Sequence, residues 1–222
     1  MGDTRYDMQA YYRTRAPVYD RVYTYPERQA DLRKLKQRLP ELLRGKDVLE
    51  VAAGTGYWTE VISQTAASIF ATDGAHETLA FIPHRTLGCS VKTQEIDAYA
   101  LSDIQANACT TKFNAAFAGL WFSHIPIHRR EAWRDELHRC LQPGARVVLL
   151  DNSRAQCERL PITRTDDDGN TYQTRRTDDG NTYEVLKNFP IPAELTALIA
   201  GHGSDGDFAM FEHFWLYHYK IG

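Results

Sequence analysis

From residue 46 onward the chain alternates short apolar, β-type runs with amphipathic stretches, the rhythm of βαβ units built around a parallel sheet. DVLEVA (47–52), SIFATD (68–73), SVKTQEID (90–97), FNAAFAG (113–119) and RVVLLD (146–151) read as successive strands. Residues 57–66, 75–82 and 127–141 read as the helices between them. In the last of these Trp133, Leu137, Cys140 and Leu141 share one face, and Gln142, Pro143 and Gly144 end it. The aromatic, alternating stretch FAMFEHFWLYHYKI (208–221) predicts one or two antiparallel strands closing a sheet edge.

Two regions stand outside that rhythm. Tyr6, Tyr11, Tyr12, Tyr19, Tyr23 and Tyr25 place half of the chain's 12 tyrosines in its first 25 residues, ahead of a charged helix at 27–44. Farther on, DDGNTY occurs at 167–172 and again at 178–183. Gly and Asn tolerate positive φ, so this repeat predicts a β-hairpin or a pair of turns, and it is too short to be a solenoid unit. The organisation expected is a single domain: an N-terminal helical cap at 1–44, a core at 46–153, a hairpin insert at 162–186, and a C-terminal helix with edge strands at 190–222.

Composition narrows the class. With 222 residues, 43% of them hydrophobic, the chain can bury one sizeable core. A formal net charge of -3 and no long Lys/Arg run argue against a nucleic-acid partner. Charges interrupt every apolar stretch before the roughly 18 residues a bilayer span needs, and the N-terminus lacks the apolar segment of a signal peptide, so no membrane association and a cytoplasmic location are expected. Cys89, Cys109, Cys140 and Cys157 are far apart, which fits reduced, mostly buried thiols, and the eight histidines form no ligand cluster. No metal site is expected. An exposed hairpin and an aromatic last strand would suit a homodimer.

The chemistry concentrates after the first strand. DVLEV runs into Ala52-Ala53-Gly54-Thr55-Gly56 and then into a helix, so the backbone turns tightly and helix N–H groups stand free for a nucleoside-bearing ligand. Alone, such a loop is equally a sharp strand-to-helix turn. The next strand, however, ends in Asp73, 17 positions after Gly56, where a carboxylate can accept both ribose hydroxyls or cap the following helix. A third strand ends in Asp97, whose carboxylate can accept from an adenine amino group while the Ala98 N–H meets a ring nitrogen. Glycine loop, acid and acid in this order say more than any one of them.

On these motifs the chain resembles the class I S-adenosylmethionine-dependent methyltransferase family, in particular its small-molecule branch, over roughly residues 46–153. VLEVAAGTG is similar to that family's glycine-rich motif, Asp73 to its second-strand acid, IDAYAL to its adenine-side motif, FNAAFAGLWFSHIP to its fourth strand and LQPGARVVLLDN to its fifth. Ala52 departs from a usual glycine, a change to be tolerated if its Cβ points away from the methionine tail, and Asn114 from a usual aspartate. The resemblance implies a Rossmann-like α/β fold, a seven-stranded, mostly parallel sheet with an antiparallel C-terminal strand and helices on both faces. It implies S-adenosyl-L-methionine as cofactor and S-adenosyl-L-homocysteine as product. Glu50, Ala52, Gly54, Gly56 and Leu120 would meet the methionine end, Asp73 the ribose, and Asp97 with Ala98 the adenine.

Methyl transfer from a sulfonium is an in-line displacement with an activated donor, so positioning and desolvation can carry most of the catalysis. His124, after the fourth strand, is the candidate base, and a structural histidine is the equal alternative. Tyr19, the other catalytic candidate, and Tyr11 and Tyr12 would line the methyl-transfer cavity with Trp121, or cement the cap. The acceptor expected is a small molecule, aromatic or heterocyclic, between the tyrosine-rich N-terminus and the insert. Two other readings stay open, an NAD(P)-dependent oxidoreductase and a non-catalytic S-adenosylmethionine-binding module. The match of Tyr183 and Lys187 to a YxxxK dehydrogenase motif is accidental in context, because a DDGN turn directly precedes it.

Overall fold

The computed structural model of the chain describes residues 4–104 and 113–222. Helix α1 (Thr4–Arg15) and a 3-10 stretch at 16–23 lead into α2 (Gln29–Leu42). The core then runs β1 (Asp47–Val51), α3 (Tyr57–Ser63), β2 (Ser68–Asp73), α4 (His76–Leu79), β3 (Ser90–Glu95), β4 (Phe113–Gly119), α5 (Arg130–Arg139) and β5 (Leu141–Asn152). An insert of β6 (Arg164–Thr165), β7 (Thr171–Arg176) and β8 (Thr182–Leu186) precedes α6 (Pro192–Ile199), β9 (Gly203–Met210) and β10 (Phe214–Ile221). The predicted strands fall where expected, with β2 and β4 coinciding at both ends, except that β5 begins at Leu141 and runs through Gln142, Pro143 and Gly144, since Leu141 pairs with Phe113 of β4 instead of continuing the helix face. The helices are shorter: 75–82 contracts to one turn of α4 plus a 3-10 turn beginning at Ile82, whose next residue, Pro83, has no N–H to extend an α-helix.

Seven strands form one sheet in the order β3-β2-β1-β4-β5-β10-β9. The first five are parallel, and β10 inserts antiparallel between β5 and β9, pairing Leu216 with Leu150 and Tyr217 with Phe208. Alternation along each strand divides the core into two layers. Val48, Ile69, Phe117 and Leu150 face Leu35 and Leu39 of α2 and Trp58 and Ile62 of α3. Leu49, Phe70, Ala116 and Leu149 face Trp133 and Leu137 of α5 and Leu195 and Ile199 of α6. Each such fully buried Leu or Ile contributes about 1.5–3 kcal/mol relative to exposure. No helix among the described residues is long and apolar enough to cross a membrane.

The two DDGN repeats make two turns of one small antiparallel sheet, β6-β7-β8, rather than a single hairpin. In the first, Asp166 Oδ1 accepts from the N–H groups of Asp168 and Asn170, with Gly169 at φ +81°. In the second, Asp179 Oδ1 accepts from Asn181 N–H, with Gly180 at φ +89°. Helix α1 packs on this sheet through Met8 and Tyr11, which meet Tyr172, Val185 and Leu186. Cap and insert thus close together over the C-terminal ends of β1, β4 and β5. Cys89, Cys140 and Cys157 are half-buried, less enclosed than the pattern suggested, because each sits on an element rim; Cys109 lies outside the described residues.

Candidate functional site

The strand order reverses between β1 and β4, and the loops leaving their C-terminal ends diverge to opposite faces, which opens a crevice there. The backbone at its floor is unusual. Ala52 (φ +54°), Gly54 (φ +57°) and Gly56 (φ +79°) leave β1 in the left-handed region, and Leu120 (φ +60°) does the same after β4. For a residue with a Cβ that region costs roughly 1–2 kcal/mol, which explains why glycine suits position 52.

Of the residues expected to hold the adenosine-type ligand, Glu50, Ala52, Gly54, Asp73, Asp97, Ala98 and Leu120 line this first cavity, together with Trp58, Tyr99 and Trp121. Gly56 does not line it. It is the N-cap of α3, and a Cβ there would stand 2.6 Å from Ile82 Cγ1. Asp73 bridges the glycine loop to its own turn: Oδ2 accepts from Gly54 N–H at 2.9 Å and Oδ1 from Ala75 N–H at 3.0 Å. Both oxygens keep lone pairs for further donors. Asp97 is exposed and accepts from Tyr99 N–H at 2.9 Å. Glu50 is buried, burial pushes its carboxyl up to about 8, and its Oε2 has no hydrogen-bond partner.

A second cavity of about 510 Å³ opens between cap, insert and the end of β5. Tyr12, Tyr19, Leu120 and His124 line both cavities and form the boundary between them. Tyr11 lines the second cavity, whereas Trp121 faces the first and packs edge-on to Tyr99 at 5.8 Å. His124 is held at both nitrogens. Nδ1 lies 2.6 Å from the Leu186 carbonyl, so it carries the proton, and Nε2 at 2.8 Å accepts from the Tyr12 hydroxyl. Burial, with the nearby Lys187 and Arg175 cations, holds its pKa well below the usual histidine value. Burial also pushes Tyr12 up to about 12 and Tyr19 higher still.

The cations of the second cavity escaped the sequence reading. Lys187 follows β8 and is 1% exposed; Nζ donates to Asp151 Oδ1 at 2.7 Å and to Ser123 Oγ at 2.6 Å. Tyr183 lies on β8, a strand, which removes the helical geometry that a YxxxK pair needs. Arg175 on β7 is 6% exposed, and it donates to Tyr12 Oη at 3.2 Å and Gln173 Oε1 at 2.8 Å. Arg15 and Arg28 line the same space. The usable signal was strand alternation: in 173–178 the buried positions are Gln173, Arg175 and Thr177, and the exposed ones Thr174, Arg176 and Asp178. Among the described residues no cluster of three His, Cys, Asp or Glu could hold a metal ion.

Residues 48–144 match the methyltransferase domain family. Two solved structures resemble nearly the whole chain. One, described as a DhpI–SAH complex, is 28% identical over 97% of this chain and 96% of its own, with a TM-score of 0.77. The other, described as a DhpI–SAM–HEP complex, is 26% identical over 99% and 98%, with a TM-score of 0.78. The PH0226 protein from Pyrococcus horikoshii OT3 is 14% identical over 92% and 98%, with a TM-score of 0.66, and speaks to the fold alone. No curated protein sequence matches the chain.

Proposed function

We propose that the chain is a class I S-adenosylmethionine-dependent methyltransferase and that it methylates a small molecule bound in the second cavity, across the boundary formed by Tyr12, Tyr19, Leu120 and His124. When bound, S-adenosylmethionine supplies an activated methyl group and leaves as S-adenosylhomocysteine. The first cavity fits that cofactor on one observation above all. Glu50 Oε2 is buried with no donor, and the ammonium of a methionine moiety is such a donor. Asp73 keeps lone pairs for ribose hydroxyls beside the two N–H groups it already accepts from. Asp97 and Ala98 stand at the third strand end for an adenine.

The boundary supports the transfer itself. In-line displacement needs donor and acceptor on one axis about 3–3.5 Å apart with water excluded, so the transfer is assigned to a passage through this boundary, where four side chains shared by the two cavities bring the two spaces together. In this reading His124 is a positioning residue, since both of its nitrogens are engaged, and it holds the Tyr12 hydroxyl. Tyr11, Tyr12 and Tyr19 offer ring faces that suit the expected aromatic or heterocyclic acceptor. Arg175, Arg28 and Arg15 around them, with no carboxylate partner among the described residues, favour an acceptor chosen by charge.

Titration of the purified chain with S-adenosylhomocysteine and with NADH tests the cofactor reading. S-adenosylhomocysteine should bind and NADH should not; tight binding of NADH alone would overturn the proposal. Asp73→Ala should weaken S-adenosylhomocysteine by roughly 10- to 150-fold, as hydrogen bonds to a charged group contribute about 1.5–3 kcal/mol. Unchanged affinity would remove Asp73 from the site.

A further inference from the structure

We propose that the acceptor is a small oxyanion, of carboxylate or phosphoryl type, anchored by Arg175 and methylated on its anionic oxygen. This rests on the methyltransferase reading above. The first argument is charge. Lys187 is neutralised by Asp151, Arg21 by Asp178 and Arg159 by Glu27. Arg175, Arg28 and Arg15 have no carboxylate within 4.0 Å among the described residues. Arg28 and Arg175 are nonetheless 7% and 6% exposed, and Arg175 Nε has no hydrogen-bond partner. Among the described residues the Arg175 guanidinium donates to a phenol and an amide and borders the cavity with no carboxylate to pair it, a costly arrangement for a buried charge unless an anion completes it. The planar fork of Arg175 matches the paired oxygens of a carboxylate or phosphoryl group. Tyr12, which shares the Arg175 guanidinium, lies on the boundary to the first cavity, so an anion held there stands next to the passage.

The second argument is that no free base stands at that passage among the described residues. Methylation of a phenol or an ammonium requires a group that removes a proton. His124 already donates from Nδ1 and accepts at Nε2, and Tyr12 and Tyr19 are neutral phenols with raised pKa values. Asp151 is held by Lys187, and the two carboxylates lining the second cavity, Asp178 and Asp179, sit in the exposed β7–β8 turn. A carboxylate or phosphoryl oxygen arrives without a proton to lose. Its lone pair forms the O–CH3 bond as the S–CH3 bond breaks, and the C–S electron pair stays on sulfur. The sulfonium charge and one negative charge of the acceptor disappear together, giving an ester and a neutral thioether with no proton moved.

The test is calorimetric titration of the full chain, saturated with S-adenosylhomocysteine, with acetate, inorganic phosphate and methylphosphonate. Saturable binding by the carboxylate or by the phosphoryl probes is expected, and the comparison identifies the class. Arg175→Gln should weaken it at least tenfold, the loss of a charge-assisted contact, with S-adenosylhomocysteine affinity unchanged within twofold. Arg15→Gln, on a less buried side chain, gives the same direction should Arg175→Gln not fold. No anion binding, or binding indifferent to both substitutions, overturns the proposal even where S-adenosylhomocysteine binds normally. Failure of S-adenosylhomocysteine to bind is instead a failure of the cofactor reading, and the anion titration then decides on the unliganded chain. With methyl-labelled cofactor, the bound anion class should yield its labelled methyl ester, base-labile for a carboxylate acceptor and base-stable for a phosphoryl one; label transferred to a phenol or amine of the same skeleton but not to its acid refutes the oxyanion acceptor.

Discussion

Asp151→Asn should be among the most destabilising single substitutions in this chain. The Asp151 carboxylate has 0% side-chain exposure and accepts from Lys187 Nζ at 2.7 Å, Ser123 N–H at 2.9 Å and Asn152 N–H at 2.7 Å. Among the described residues the Lys187 ammonium, 1% exposed, has only Asp151 and Ser123 as hydrogen-bond partners, and Arg175 lies near enough to lower its pKa further. An asparagine keeps one acceptor oxygen for three donors and cancels no charge. Breaking a buried pair in this way costs about 3–5 kcal/mol, a large share of the 5–15 kcal/mol typical of a folded domain. Lys187→Met should cost less, because Asp151 keeps two backbone donors. The double variant should be more stable than Asp151→Asn alone, since the stranded ammonium is gone. Urea denaturation followed by tryptophan fluorescence measures all three; at about 2–3 kcal/mol per molar, Asp151→Asn should shift the midpoint by roughly 1–2 M. A loss under about 1 kcal/mol, or a double variant weaker than Asp151→Asn, would refute the view that this pair fastens β8 to β5.

Glu50 makes cofactor affinity and stability depend on pH in opposite senses. Its folded pKa, about 8, lies above the ordinary carboxylate value, so the folded state holds a proton that the unfolded state has lost. The unliganded protein should therefore lose stability as pH rises from about 5 to 8, and Glu50→Gln should flatten that slope in thermal melts. S-adenosylhomocysteine should bind severalfold more tightly at pH 8 than at pH 6, with proton release detectable by calorimetry in buffers of different ionisation heat; equal affinity in wild type and Glu50→Gln at both pH values would detach Glu50 from the ligand. Gly56→Ala should lower the melting temperature more than Gly54→Ala. Both sit at positive φ, which costs roughly 1–2 kcal/mol, but only the Gly56 Cβ meets a neighbour, at 2.6 Å from Ile82. Equal losses from the two variants would mean that Ile82 yields freely.

Where the burial of a segment is apolar, its place in the fold was legible. SIFATD and FNAAFAG are buried almost throughout, so their hydrophobic runs and β2 and β4 coincide to the residue. The lining of the first cavity was legible in the same way, because it is built from glycines and acids at strand ends, and seven of the eight expected residues line it. Gly56 lies outside the lining for a traceable reason: a glycine can answer a backbone demand or a close ligand approach, and spacing alone does not separate them. The second cavity was illegible by the same logic in reverse. Arg175 occupies an inward strand position in TYQTRR, where a hydrophobic pattern expects an apolar side chain, and Lys187 sits just beyond β8 with its partner Asp151 36 residues earlier. A buried charge is recognisable only from what it faces, and what these cations face is assembled from β5, β7, β8 and the cap. The apolar pattern thus recorded the scaffold around the first cavity, while the proposed selection of the acceptor rests on polar residues that break the pattern. On this reasoning, charge substitutions at Arg175, Arg15 and Arg28 should change which acceptor is methylated before they change whether the cofactor binds.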